Sequence, residues 1–536
     1  MVLVQLLVIL AGDSRVFSGS DAGGRAAAIG AAVGSSGCDH DLGYWAEEWD
    51  PAGEAHPMFN TVAVGERFVQ PTAMPYVCAA ATLERGFGRP ASLVVSIVGV
   101  LLAATGAWML ERESGSSGLL SFVTVGVVGP VAFYGSDTWE HAPAVGCALF
   151  GTALILSRSG RLSGAVAGVL WGLAVSMRVE TAIVGLGLAA GVLLVVEMRK
   201  SVLADRWRVA IAGVAAVLVL AVDRTAQQRI IGSDYRGGRA STQAGNILGE
   251  VGDRTRDAVV TTFGLLPTDS DLESILLGVV FVLALLVVGA AITGSEIETR
   301  LVHGFALIAA LIACLRILDP GFVPGMLAAS PIAAVGVFSL RWRSGPPVGR
   351  VLAIGAVSSL PIVWALQWTG NLGPQWGGRY VLLSGALLAT CGATLVRSGP
   401  SRLGHVVVAL TVAIGSMGLL WHSQRTQLIG VVLDDLLTTP CEEVLVSTSP
   451  FLLREGGAIE EFSSGVRADG CRLLSSTVDD VAFALGVAAD SGARRSTVLL
   501  PRRIDDPARV LGAVTVLSRS EVDLHGLRYS AVVVAL

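Results

Sequence analysis

The sequence predicts an α-helical polytopic membrane protein with about thirteen transmembrane helices and a small C-terminal α/β domain. Three observations carry this. Roughly a dozen apolar runs lie between Ala91 and Trp421. Hydrophobic residues make up 52% of the chain and charged residues 15%, with a mean hydropathy of +0.66. After Trp421 the composition shifts to short β-branched runs alternating with helical stretches. A net charge of -5 argues against nucleic acid as a partner, and no polybasic tail suggests docking on anionic lipid.

A membrane helix needs about 20 mostly apolar residues to cross the hydrocarbon core. The runs 91–110, 114–136, 274–295, 320–340 and 351–368 reach about that length with no charged residue. The runs 142–157, 162–177, 181–196 and 209–222 are shorter and Gly- and Ala-rich, which suits thinned, broken or partly interfacial helices in close packing. The first run, Val2 to Ala11, is too short to span and lacks the basic flank of a signal peptide, so a truncated or misassigned start is expected.

Arginine and lysine stay on the cytoplasmic side of short loops. Arg112, Arg199, Lys200, Arg206, Arg341 and Arg397 fall on one set of alternate loops, whereas the opposite short loops hold only Arg178, Arg316 and Arg379. This predicts the N-terminus inside and the C-terminus outside. Residues 1–421 then form the transmembrane domain, with extracytoplasmic loops at 12–90 and 223–272, and residues 422–536 form an extracytoplasmic α/β domain.

Cys147, Cys314 and Cys391 lie inside apolar runs as small hydrophobes. The other four lie in the exterior regions, where an oxidising compartment predicts Cys38–Cys78 and Cys441–Cys471 disulfides. No Cys/His spacing resembles a zinc site.

The first exterior loop is acidic. It holds Asp13, Asp21, Asp39, Asp41, Glu47, Glu48, Asp50, Glu54, Glu66 and Glu84 against Arg15, Arg25, Arg67, Arg85 and Arg89, a balance that suits a general base or a metal better than an anion grip. Within it, residues 21–34 (DAGGRAAAIGAAVG) read as a short helix with Asp21 near its N-terminus, where a carboxylate caps the first turn or is held ready for chemistry. Asp39, Asp41, Glu47, Glu48 and Asp50 alternate with Tyr44, Trp45 and Trp49, as sugar-binding loops and headgroup-level loops both do.

Three short segments interrupt the apolar runs with polar residues. In residues 136–141 (SDTWEH), Asp137, Glu140 and His141 at a membrane boundary need water, partners or a ligand. His141 either donates to a phosphate or faces solvent. Arg178 and Glu180 flank a break between two spans and read as an internal ion pair. In residues 373–380 (GPQWGGRY), Pro374, Gly377 and Gly378 forbid regular helix ahead of Arg379. Its fork fits a phosphate or anchors the span at the interface. Arg316, followed by Asp319 and Pro320, reads as a local ion pair.

Taken in order, Gly19-Ser20-Asp21, Trp139-Glu140-His141, Arg178-Val179-Glu180 and Gln375-Trp376-Gly377-Gly378-Arg379-Tyr380 resemble the marks of the GT-C superfamily of polytopic membrane glycosyltransferases. That superfamily includes protein O-mannosyltransferases, lipid A aminoarabinose transferases and actinobacterial relatives. The resemblance covers roughly Gly19 to Trp421. It implies a GT-C-like membrane fold, a sugar donor carried on a polyprenyl phosphate at the outer membrane face, and inverting displacement at the anomeric carbon. Asp21 would be the general base. Arg379, Arg178 and His141 would bind the donor phosphate. Asp41 and Glu48 stand next in line as base, and Glu140 and Tyr380 are further site candidates. Some members need a divalent metal, but Asp39-His40-Asp41 is too slight a signal to predict one, so no cofactor is expected. The chain departs from the family in its stunted first span, and the partner acid that many relatives carry beside the base is unassigned.

Beyond Trp421, strands are expected at 443–447, 497–500, 514–517 and 529–535 and a helix at 478–489, with Thr477 and Asp480 as its capping box. This region reads as an accessory module for an acceptor or partner. The 223–271 segment, with Arg224, Arg229, Arg236, Arg239, Arg254 and Arg256, either covers the donor site or pairs by charge with the first loop. Two competing readings remain: a transporter or flippase for a lipid-linked molecule, and a catalytically silent protein of envelope assembly. The former should show internal repeats. The latter predicts that Asp21, His141 and Arg379 do not converge.

Overall fold

The computed structural model describes all residues except 36, 158–159, 233–249, 267–271, 295, 318–322, 342–344, 367–375, 503, 505–506, 512–513 and 526. Arg236, Arg239, Asp319, Pro320 and residues 373–375, all singled out above, lie outside the described residues.

Among the described residues, five helices are long and apolar enough to cross a membrane: Arg89–Arg112, Arg206–Ile230, Pro347–Leu366, Arg379–Ser398 and Arg402–Thr438. A sixth span results if Glu180–Leu194 and Val196–Ala204, bent by 103° at Val195, count as one. Shorter apolar helices such as His141–Ser157 and Arg161–Met177 pack between them.

Charge-free length alone misled for two runs. Residues 114–136 divide into Leu119–Gly126 and Pro130–Gly135, and residues 320–340 divide into Met326–Ala329, Pro331–Gly336 and a 3-10 turn. Pro130 and Pro331 each stand at the start of the second piece, where a missing N–H cannot continue a helix but can begin one. The 209–222 run errs the other way. It belongs to the 25-residue helix Arg206–Ile230, whose N-cap Asp205 accepts from the Arg208 amide. Val214, Val217, Leu218 and Val222 on that helix are exposed, as a lipid-facing surface would be.

Small residues set the helix spacing. A Cβ on Gly99 would strike the backbone at Pro143, and one on Gly146 would strike the Gly99 carbonyl, so Val94–Arg112 and His141–Ser157 pack backbone to backbone.

The C-terminal region is a five-stranded mixed sheet in the order Arg472–Ser475, Val444–Ser447, Arg495–Pro501, Leu527–Ala535, Thr515–Leu524. The first three strands are parallel and the last two run antiparallel to their neighbours. Four strands coincide with the expected ones; Arg472–Ser475 was not anticipated. Thr477 Oγ1 donates to Asp480 Oδ2 at 2.7 Å and accepts from the Asp480 amide, but the helix Val481–Asp490 takes Asp480 as its N-cap without a side-chain cap bond, so the pair closes a turn ahead of the helix and is not its capping box. Ser401–Thr438 runs unbroken past Trp421 to this sheet.

Both disulfides form. Cys38–Cys78 ties the end of Ser20–Gly34 to Met74–Phe87, and Cys441–Cys471 links the approaches to two neighbouring strands.

The acidic and aromatic stretch of the first loop packs its rings on the C-terminal sheet. Tyr44, Ala46, Ala55 and Phe68 share a hydrophobic core with Val444, Val446, Leu474 and Val498 of the sheet. Trp45 Nε1 donates to the Leu473 carbonyl at 2.9 Å, and the Ser475 amide donates to the Ala55 carbonyl at 2.9 Å. These aromatics bury a contact between loop and sheet.

Candidate functional site

Ser20–Gly34 places Asp21 and Arg25 one turn apart on one face, so both side chains enter the same cluster, and Arg25 Nη1 also donates to the Asp21 carbonyl. His141 opens His141–Ser157, with Trp139 and Glu140 in the turn before it. Arg178 is the extended residue after Arg161–Met177. Arg379 follows Gly377 and Gly378, whose positive φ of 73° and 64° only glycine adopts freely. A Cβ on Gly377 would strike Pro130 and one on Gly378 would strike the Thr261 carbonyl. The glycine pair thus turns the chain tightly against two other segments and delivers Arg379 inward.

The side chains converge in one buried network. Asp21 pairs with Arg379 through Oδ2 and with Arg454 Nη1 through Oδ1 at 2.8 Å. Arg25 holds Glu140, with Nη2 2.5 Å from Oε1. Glu140 also meets Arg178 at 3.3 Å, and Arg178 pairs with Glu180 at 2.6 Å. Asp21 is therefore no N-cap: Gly19 holds that position without a side-chain bond. Burial opposes ionisation of Asp21, but Arg379, Arg454 and Arg25 outweigh it and hold the carboxyl far below the ordinary carboxylate range.

Aromatic rings wall the network. The Arg379 guanidinium lies 4.7 Å from the Tyr380 ring centre and 5.9 Å from that of Trp139; Arg25 lies 5.2 Å from Trp139 and Arg178 5.5 Å from Tyr380. Arg379 Nη2 donates to the Tyr380 hydroxyl at 2.9 Å. His141 stacks on Tyr134 at 5.1 Å and meets Trp139 edge-on at 4.9 Å. Among the described residues, both His141 nitrogens, the Tyr134 hydroxyl, Trp139 Nε1 and Arg379 Nε are buried without a hydrogen-bond partner. One unpaired buried donor costs about 1–3 kcal/mol, and five such atoms on neighbouring side chains mark a place suited to a polar ligand.

Two candidates lie elsewhere. Asp41 accepts from the Phe68 amide at 2.9 Å and the Gly43 amide at 3.0 Å, holding the strand Arg67–Val69 of the hairpin it forms with Val62–Val64. Glu48 is exposed in the turn that follows Trp45. Both belong to the loop that packs on the sheet. The Asp39 and Asp41 pair also does not fit a metal, since Asp39 pairs with Arg67 at 3.5 Å and Asp41 is spent on amides. Among the described residues no three His, Cys, Asp or Glu side chains could share an ion.

Sequence reasoning missed several participants. Arg25 had a signal in its four-residue spacing from Asp21. Arg454 had none locally. It comes from Pro450–Glu455, beyond the expected membrane domain, and its trace lies in the partner helix, where a Cβ on Gly23 or Gly24 would collide with it. Asp137 finds Ser18 Oγ at 2.7 Å and His422 Nε2 at 3.3 Å.

The guanidinium and carboxylate network is thus set where apolar helices meet the segment Pro450–Glu455 of the C-terminal region. The chain is similar to ArnT from Cupriavidus metallidurans in the apo state, with 12% sequence identity and a TM-score of 0.50 over 100% of this chain and 96% of that one. The structure of the same protein bound to undecaprenyl phosphate aligns with a TM-score of 0.41 and 14% identity, over 100% and 97% of the two chains. No protein-family model matches the chain, and no curated protein does.

Proposed function

We propose that this chain is a membrane glycosyltransferase that moves a sugar from a polyprenyl-phosphate donor to an acceptor outside the membrane. The site and the C-terminal sheet then lie on the extracytoplasmic side of the plasma membrane. One observation carries the reading: Asp21, Arg25, Glu140, Arg178 and Arg379 converge beside the unpartnered donors of Tyr134, Trp139 and His141.

Charge supports it. Arg25, Arg178, Arg379 and Arg454 bring four guanidiniums together around Asp21, Glu140 and Glu180. A sugar polyprenyl phosphate is an anionic diester, which such a cluster of guanidiniums suits. The acceptor oxygen attacks the anomeric carbon from the face opposite the phosphate, and its bond forms as the carbon–phosphate oxygen bond breaks. Asp21 takes the acceptor proton, and the departing polyprenyl phosphate keeps the electron pair, its charge met by Arg379 and Arg178 in a setting of low dielectric. His141 and Trp139 sit to donate to the sugar or its phosphate.

The test feeds membranes carrying the protein a panel of radiolabelled polyprenyl-phosphate sugars. Transfer from at least one donor by the wild type, lost in Asp21→Asn, is expected. Full turnover in the variant would remove Asp21 from the role of base, and no transfer from any donor would favour the transporter or assembly reading.

A further inference from the structure

We infer that Arg454, carried by the C-terminal region, is a ligand for the anionic group this site takes, and that the Asp21 carboxylate competes with that anion for Arg379 and Arg454. The inference rests on reading the site as a phosphate site and adds to it a residue from outside the membrane helices.

The geometry is specific. Arg454 is 5% exposed, and Nη1 meets Asp21 at 2.8 Å while Nε and Nη2 reach Gln70 Oε1 at 3.1 and 2.9 Å. Gln70 is itself fixed, donating to the Met58 carbonyl at 2.9 Å and to Thr61 Oγ1 at 2.6 Å. Gly23 and Gly24 leave the helix bare where the Arg454 backbone and guanidinium press on it, and Gly457 returns the contact against the Gly23 carbonyl. Such close packing delivers one guanidinium across the boundary between two parts of the fold. The charge so delivered lands on the oxygen that Arg379 leaves to it: Asp21 offers Oδ2 to one arginine and Oδ1 to the other.

A phosphate presents the same kind of oxygen pair to the same forks and can bond arginine bidentately, whereas Asp21 gives each of the two arginines a single oxygen. Anion and carboxylate therefore exclude each other. When the phosphate takes the two guanidiniums, Asp21 loses the cations that keep it ionised and becomes a better proton acceptor. The base is thus armed by arrival of the donor.

The test measures binding of geranylgeranyl phosphate to the purified full-length protein in detergent, with geranylgeraniol as the uncharged control. Asp21→Asn should tighten phosphate binding about tenfold by removing the internal competitor, and Arg454→Gln should weaken it about tenfold, with Arg454→Lys between. A folding defect cannot tighten binding, so the Asp21 variant guards against that explanation. Unchanged or weaker binding by Asp21→Asn, wild-type binding by Arg454→Gln, or no phosphate-dependent binding by any form would overturn the inference. Absence of sugar transfer with this binding pattern intact would sink the transferase reading alone. Transfer by the wild type alongside an unchanged affinity in Asp21→Asn would sink the competition and leave the transferase reading standing.

Discussion

Two acidic, aromatic stretches of this chain look alike as sequence and behave oppositely as structure. In residues 41–50, Asp50 accepts from the Tyr44 hydroxyl at 3.0 Å, the Ala55 amide at 2.8 Å and the Glu54 amide at 3.0 Å, and Asp41 accepts from two amides. Every one of these partners lies within thirty residues. Around Asp21 and Glu140 the carboxylates are met by guanidiniums from distant segments, and the polar ring atoms of Tyr134, Trp139 and His141 beside them are unpartnered among the described residues. A carboxylate satisfied by nearby amides builds a loop. One satisfied only by arginines that other elements must deliver builds a site, because those arginines can be handed to a different anion.

The largest expected effect separates the two stretches directly. Asp21→Asn should lower transfer by at least about 10²-fold, whereas Glu48→Gln should leave transfer within about twofold; comparable losses in both would erase the contrast. Next, Arg25→Met leaves Glu140 buried without its closest cation and should cost about 3–5 kcal/mol, read as a drop in melting temperature. The double replacement of Arg25 and Glu140 by Met should recover most of that loss, and failure to recover would mean the pair is not a unit. Smaller still, Asp50→Ala should cost about 1–3 kcal/mol and loosen the 44–56 loop without altering affinity for a phosphate lipid.

The smallest effect is set by pH. His56 accepts from the Met58 amide at Nδ1, 2.9 Å away, and contacts the Gly43 carbonyl at Nε2, 3.0 Å away, as a neutral ring does. Burial pushes its pKa down to about 4. Its folded value lies below its unfolded one, so the unfolded chain binds more protons between pH 6.5 and about 4. Stability from this group is full above that window and falls through it. Protection against hydrogen exchange in residues 44–56, taken relative to the intrinsic amide rate at each pH, should therefore fall at pH 4.5 relative to pH 7, while His56→Gln should flatten the difference.

Much of this was legible in the sequence where the signal was local. The glycine pair before Arg379, the Trp139-Glu140-His141 turn, the helix led by Asp21 and the four cysteines outside the apolar runs each announce themselves within a few residues. Helix breaks at Pro130 and Pro331 were legible too, but counting uncharged residues hid them. Arg454 was out of reach, since nothing near it distinguishes it from a surface arginine. Only the fold brings Pro450–Glu455 onto Gly23 and Gly24. Residues 41–50 misled for the complementary reason: alternating rings and acids suit a ligand, an interface or a buried contact equally, and the sheet that claims those rings begins some 390 residues later.

The central claim is that the arginine network around Asp21 takes a polyprenyl phosphate. A polyprenyl phosphate bearing a diazirine next to the phosphate, photolysed in membranes and mapped by mass spectrometry, tests it most directly. Labelling should fall on Tyr134, Trp139, His141 or Tyr380 and disappear with excess unlabelled lipid phosphate. Competed labelling confined to residues 41–50, or absent from both stretches, would contradict the account.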